Sequence, residues 1–290
     1  MREIKIAPER ENRMERDLLV KLSKFVDQEE RFEDAGLGAL IVNVDAVGKN
    51  DLRPRMDVEY LGIKAIVAST SDVVAKSGRP VRYTLYVSHP DKDVVYRMAE
   101  AAYKTVKRFS GSIISGDVDS EPMRVVSTCI GYSYRFTRRS GARPGEKVYL
   151  LGPIGHGGAL SYALKRNLEP PKEALELMKY EYFDPERSRV TLKASSAMDV
   201  SDGLAVTLWD IAELSSVRIE VDYERLRKIV PTGISKRADE HGIDPADLAL
   251  YGGDEYVIVY TSEDNLGGEE IGEVLEGEGV NAKRIGREHR

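Results

Sequence analysis

Two aspartates, Asp199 and Asp202, bracket Ser201 in the stretch AMDVSDGLAV, between an apolar run that reads as a strand and a glycine that opens a helix. Four more aspartates fall at comparable junctions. Asp45 closes NVD at the end of a β-rich run, Asp72 sits in STSD within a helical pattern, Asp117 follows SG after a strand, and Asp254 follows GG before another strand. Carboxylates at such places are the hard oxygen ligands that Mg²⁺ uses when it is shared with substrate phosphates, because the ion keeps octahedral oxygen geometry and takes few protein carboxylates. Glycine beside a carboxylate lets the backbone approach a phosphate, and a helix N-terminus adds favourable amide dipoles. Each residue also has a structural explanation. Asp202 could cap the helix beginning at Gly203, worth about 1 kcal/mol. Asp117 and Asp254 could shape turns, and Asp72 could pair with a nearby Lys or Arg. Asp45 is harder to explain that way, since aspartate is disfavoured in strands. It is the co-occurrence of these carboxylates that points to metal and nucleotide chemistry.

The elements that must position them follow from periodicity. Residues 9 to 33 show helical spacing around Leu18, Leu19, Leu22 and Phe25. LGALIVNVDAV reads as a strand, DVEYLGIKAIVASTSDVVAKSG as a helix through Tyr60, Ile63, Ile66 and Val67, and RYTLYVSHP as a strand stopped by Pro90. A helix from about Asp93 to Phe109 carries Val94, Met98, Ala101, Ala102 and Thr105 on one face and leads through GSIISGDVDSEP into the strand MRVVSTCIGYSY. Turn formers collect in RRSGARPGE, Arg138 to Glu146, which divides the chain into a domain over 1–140 and another over 141–290. Beyond it come strand, glycine-rich turn and helix in KVYLLGPIGHGGALSYALKR, then the opening motif, a helix from Leu204 to Leu214, and the strands VRIEVD and EYVIVYT. The fold class expected is α+β.

Composition narrows the function. The 290 residues carry a formal charge of -6, which argues against general nucleic-acid or acidic-membrane binding. One cysteine, Cys129, rules out an intrachain disulfide and a Cys-based zinc site and suits a reducing cytoplasm. His89, His156, His241 and His289 lack metal-site spacing, and no apolar run is long enough for a membrane helix. There is no P-loop, and GPIGHGG lacks dinucleotide-fold spacing, so that glycine cluster reads as a turn into a helix that permits close packing. Ser201 has no neighbouring histidine for a hydrolase triad. Trp209 reads as a core or interface residue and Cys129 as a small core residue.

AMDVSDGLAVTLWDIAELSSVRIEVDYERL together with ALYGGDEYVIVYT resembles the thiamine-monophosphate kinase family, within the superfamily of aminoimidazole ribonucleotide synthetase, selenophosphate synthetase and the hydrogenase-maturation dehydratase. FEDA, NVD, STSDVVAKSGRP and SGDVD are similar, in order, to that family's N-terminal motifs. The resemblance implies a two-domain PurM-like fold: an N-terminal domain that pairs its sheet with that of a second subunit into a barrel, and a C-terminal α/β sandwich domain. It implies a homodimer with ATP as co-substrate and Mg²⁺ held by Asp34, Asn43, Val44 through its carbonyl, Asp45, Asp72, Asp117, Asp199 and Asp202. Gly116, Asp117, Arg139 and Ser201 would contact ATP, and Asp254 would contact the acceptor. The implied reaction transfers the γ-phosphoryl group in line to thiamine monophosphate, with no general base assigned.

The sequence departs from the family pattern in places. Phe32 and Glu33 replace the first glycine and aspartate of G-D-D-A, AVGKNDLRPRMD replaces a histidine-bearing substrate loop, and G-G-E-D reads G-G-D-E. These departures keep two alternatives open: a related ATP-dependent enzyme with another substrate, and a catalytically silent nucleotide-binding regulatory protein.

Overall fold

The structure, a computed structural model, describes residues 40–53 and 55–286; the expected helix over 9 to 33 and Asp34 lie outside the described residues. The first layer is a four-stranded sheet built from β1 (Leu40–Gly48), β2 (Arg79–Ser88), β3 (Ser112–Asp119) and β4 (Arg124–Tyr132), in the order β1-β4-β2-β3. Helices α1 (Glu59–Ala75) and α2 (Lys92–Arg108) connect these strands. β4 runs antiparallel to β1 and β2, while β2 and β3 are parallel, as a strand–helix–strand crossover through α2 requires. β1 alternates cleanly: Ile41, Asn43 and Val47 are buried, whereas Leu40, Val42 and Val44 are exposed.

The second layer is a six-stranded sheet in the order β10-β7-β9-β5-β8-β6. Its strands are β5 (Lys147–Leu151), β6 (Ser196–Asp199), β7 (Arg218–Val221), β8 (Ile258–Ser262), β9 (Glu269–Leu275) and β10 (Gly279–Val280). Helices α3 (His156–Lys165), α4 (Lys172–Leu177), α5 (Ser188–Thr191), α6 (Leu204–Ser215), α7 (Tyr223–Ile229), α8 (Thr232–Glu240) and α9 (Pro245–Tyr251) surround it.

Helix α1 sits where the two layers meet. Fourteen of its 17 residues are buried, so it is enclosed on nearly all sides rather than amphipathic. Its apolar residues share one core with Tyr149, Leu151, Ile258 and Tyr260 of the second sheet. A helix enclosed by both layers holds its polar side chains at fixed places, and this delivers Asp72 to the junction. By contrast α2 is buried along one stripe of Met98, Ala101, Ala102, Thr105 and Val106, as its spacing predicts. Cys129 is fully buried, and burial pushes its thiol pKa up to about 12, so it is an inert core residue. Among the described residues no helix is long and apolar enough to cross a membrane.

Candidate active site

Asp45, Asp72 and Asp199 come from three separate elements and meet at the layer junction. Asp45 lies within β1, opposite Ser127, rather than at the strand's end; pairing continues through Ala46 and Val47, which extends the strand. Its Oδ1 accepts the Ala46 amide at 2.7 Å. From the same face of β1, Asn43 Nδ2 donates to Asp72 Oδ2 at 2.6 Å. One residue earlier on α1, Ser71 Oγ donates to Asp199 Oδ2 at 2.8 Å, at the last position of β6. Asp199 is buried, whereas Asp45 and Asp72 keep part of their surface in solvent.

The electrostatics tie these groups together. Burial, reinforced by repulsion from Asp199, pushes the Asp45 carboxyl up to about 6, against the Ala46 amide and Lys64, which lower it. Asp72 is raised well above the usual carboxylate range, first by burial and then by Asp199 and Asp45. Burial raises Asp199 as well, while Ser71, Arg139 and a hydrogen bond with Asp72 pull it back. Adjacent buried carboxylates cannot all ionise cheaply; they share a proton or wait for a cation.

The donor set suits a hard cation. Among the described residues no three acidic, imidazole or thiol side chains are placed to hold a metal ion by themselves, so oxygens from outside this group would have to complete the shell. One or two carboxylates at a time, with phosphate oxygens and water completing the shell, is the usual arrangement for Mg²⁺. Asn43 and Asp202 stand beside this group: Asn43 is bonded to Asp72, and Asp202 acts electrostatically on Asp199. Val44 is 62% exposed on the opposite face of β1, so only its backbone could take part.

The two C-terminal motifs are bonded to each other. Asp254 N donates to the Ser201 carbonyl at 2.7 Å, Tyr256 N to the Val200 carbonyl at 2.8 Å, and Val200 N to the Val257 carbonyl at 2.9 Å. Gly203, with φ 116°, closes this loop so tightly that a Cβ there would lie 2.8 Å from the Gly252 carbonyl oxygen. Gly203 is the N-cap of α6, without a side-chain cap, so Asp202 does not perform the capping role open to it in the sequence. Arg139 is buried, lowers the Asp199 pKa, and has Nη1 3.9 Å from Asp210.

Gly116 and Asp117 stand apart from this group. Asp117 lies within β3, opposite Tyr86, and not in a turn, because β3 pairs with β2 as far as Asp119. Asp45, Ser127, Leu85 and Gly116 form one row across the sheet, three strand spacings wide, or about 14 Å. One chain therefore leaves the exposed Asp117 far from the cluster.

Asp254 is buried, and its carboxylate faces inward: Oδ1 is 2.9 Å from Lys64 Nζ, and Oδ2 is 2.6 Å from Arg53 Nη2. Glu255, the residue that inverts the motif, has a separate structural task. It accepts the amides of Gly155 at 3.1 Å and Gly157 at 3.0 Å and contacts His156 Nδ1 at 2.7 Å, anchoring the first turn of α3. The glycine-rich turn does allow close packing, since a Cβ on Gly157 would lie 1.7 Å from the Gly253 carbonyl oxygen. Sequence reasoning missed Lys64, Arg53, Ser71 and Glu255. The available signal was a lysine inside the apolar run GIKAIV.

Comparison with known proteins decides the family. The AIR synthase related protein N-terminal domain matches residues 32–133, and the AIR synthase related protein C-terminal domain matches residues 143–288. The chain belongs to the AIR synthase related family. Curated relatives include a thiamine-monophosphate kinase of Pyrococcus horikoshii, 31% identical over 265 residues, spanning 88% of this chain and 83% of that protein. A thiamine-monophosphate kinase of Methanopyrus kandleri is 32% identical over 259 residues, spanning 84% and 82%. Among solved structures, AaThiL complexed with AMPPCP and TMP superposes with TM-score 0.82 at 22% identity, covering 98% of this chain and 99% of that one. Thiamine monophosphate kinase from Aquifex aeolicus gives 0.77 at 24% identity, covering 92% and 96%. These likenesses establish the two-domain PurM-like α+β fold for this AIR synthase related chain.

Proposed function

We propose that this AIR synthase related protein is an ATP- and Mg²⁺-dependent phosphotransferase, which passes the γ-phosphoryl group of ATP to thiamine monophosphate and releases ADP and thiamine diphosphate. The observation that carries this reading is that Asp45, Asp72 and Asp199, from β1, α1 and β6, lie close enough to act on one another's ionisation. Relatives about 30% identical over most of their length carry the name thiamine-monophosphate kinase, which supplies the acceptor.

Asp45, Asp72 and Asp199 would hold Mg²⁺, with Asn43, the Val44 carbonyl, Asp202, Asp117 and the undescribed Asp34 contributing ligands. The ion's contribution is to neutralise charge on the phosphate oxygens. The chain's part is positioning. Ser71 and Asn43 fix the rotamers of Asp199 and Asp72. Arg139, Ser201 and Gly116 would orient ATP. The attacking phosphate oxygen of the acceptor is already ionised near neutral pH, so the reaction needs no general base, and transfer through a loose transition state depends on alignment and charge.

A homodimer would complete the site. Among the described residues neither β1 nor β3 has a strand on its outer edge, and Leu40, Val42, Val44, Ile114 and Val118 expose apolar surface on this sheet. Two such sheets closing into a barrel would remove the edges and cover that surface. β3 of one protomer would then lie along β1 of the other, bringing Gly116 and Asp117 to the neighbouring chain's Asp45. The buried single thiol and the need for Mg²⁺ and ATP suit a cytoplasmic enzyme.

The test is a turnover screen with ATP and Mg²⁺ against thiamine monophosphate and a panel of phosphorylated metabolites. Thiamine diphosphate formed in step with ADP supports the reading. Preference for another acceptor, or ATP binding without turnover, rejects it.

A further inference from the structure

A ladder of buried and half-buried charge crosses the layer junction next to the acidic cluster. Lys64, on α1, is 1% exposed and places Nζ 2.7 Å from Asp51 Oδ1 and 2.9 Å from Asp254 Oδ1. The second Asp254 oxygen meets Arg53 Nη2 at 2.6 Å. Asp51 is itself anchored, accepting the Gly48 amide at 2.9 Å where β1 ends. Two cations on the N-terminal side thus close on one carboxylate that reaches over from the C-terminal side. Lys64 and Asp72 share α1 at a separation of eight residues, about 12 Å along the axis. Lys64 is also among the charges that act on Asp45.

We propose that Lys64 and Arg53 are the receptor for the phosphate monoester of the acceptor, and that Asp254 occupies its place until the acceptor arrives. This rests on the phosphotransferase reading. An ammonium and a guanidinium converging on one carboxylate offer the donors that a phosphate dianion takes up, with an additional charge to gain. Asp254 is held there in a left-handed backbone conformation, φ 63°, which is costly for a residue with a Cβ. Buried ion pairs also contribute little net stability compared with apolar packing, so cohesion alone does not account for this one. The released Asp254 would turn toward the organic part of the acceptor, which reconciles its buried position with the substrate contact the sequence motif suggests.

Binding of inorganic phosphate, measured by calorimetry on the full chain at fixed ionic strength without ATP, tests this. Asp254→Asn removes the competing charge and is expected to bind phosphate at least about tenfold more tightly than the unaltered protein, and Asp254→Asn/Arg53→Ala is expected to lose that gain. Arg53→Ala, the partly exposed member and the variant most certain to fold, is expected to raise the acceptor KM by about tenfold or more while leaving the KM for ATP in place. Equal phosphate affinity in the unaltered protein and Asp254→Asn overturns the proposal. So does an unchanged acceptor KM in Arg53→Ala with only the melting temperature lowered, which is the mark of an internal latch. If phosphate binding responds as expected but thiamine monophosphate is not turned over, the receptor stands and the kinase assignment fails. The opposite pattern rejects the receptor alone.

Discussion

Replacing Asp45 by Asn should stabilise the metal-free protein at neutral pH while weakening its response to Mg²⁺. In the unfolded chain this carboxyl titrates near 3.8; in the fold, burial and Asp199 raise it to about 6. Between those values the native state keeps a proton that the unfolded state has lost. Stability therefore falls as pH rises from about 4 to about 6, and the cost persists above 6. A shift of about two units corresponds to about 3 kcal/mol at most. Because Asp45 remains partly solvated, screening reduces this to on the order of 1–3 kcal/mol. Asn has nearly the same shape and can still accept the Ala46 amide, so the substitution isolates the charge. At about 2–4 °C per kcal/mol for a chain of this size, the variant should melt several degrees above the parent at pH 7.5 in EDTA. The gap should close at pH 4. Mg²⁺ with AMPPCP should raise the parent's melting temperature more at pH 7.5 than at pH 4.5, and that of Asp45→Asn by much less. Scanning calorimetry at these three pH values reads both effects. A variant less stable than the parent at pH 7.5 in EDTA, or one with the full Mg²⁺ increment, would refute the reasoning.

Three further outcomes follow from the same geometry. Asp199→Asn should keep the fold but lower kcat by about 10²–10³-fold or more, as removal of one electrostatic partner at a reacting centre does; near-parental turnover would sink its assignment. Asp45→Asn and Asp117→Asn should each be inactive as homodimers, yet after mixing and subunit exchange recover about a quarter of parental activity, because half the dimers would hold one intact composite site. No recovery would place Asp117 in the site of its own chain or outside it. Glu255→Ala leaves the buried amides of Gly155 and Gly157 without their acceptor, at roughly 1–3 kcal/mol each, read by urea unfolding.

Much of the site was legible because its residues sit in short motifs whose local structure is self-determined. STSD lies on a helix and VSDG spans a strand end and a tight turn, and the spacing of their neighbours predicts as much. Asp45 shows the limit. Its apolar neighbours predict a β-rich run, but not that an aspartate sits inside the paired strand, opposite Ser127 of β4, rather than closing it. The Arg53–Asp254–Lys64 group was not legible as a group, since it joins residues about 200 positions apart: Asp254 stands out by its motif and Lys64 by its apolar neighbours, but nothing local pairs them, and Arg53 reads as an ordinary surface charge. Asp117 is the complementary case: the motif places it with the other acids, while sheet order places it three strands away. Local sequence indicates that strands are present, whereas how far each one pairs and the order of strands in a sheet depend on long-range pairing.

The central claim, that acids from three elements grip a divalent ion on a triphosphate, is tested most directly by counting ions. Mn²⁺ titrated into the protein with AMPPCP can be followed by electron paramagnetic resonance, which reads free ion. The parent should bind Mn²⁺ tightly in the presence of the nucleotide, and Asp72→Asn and Asp199→Asn should each bind fewer ions or bind them far more weakly. Identical ion number and affinity in all three proteins would contradict the account.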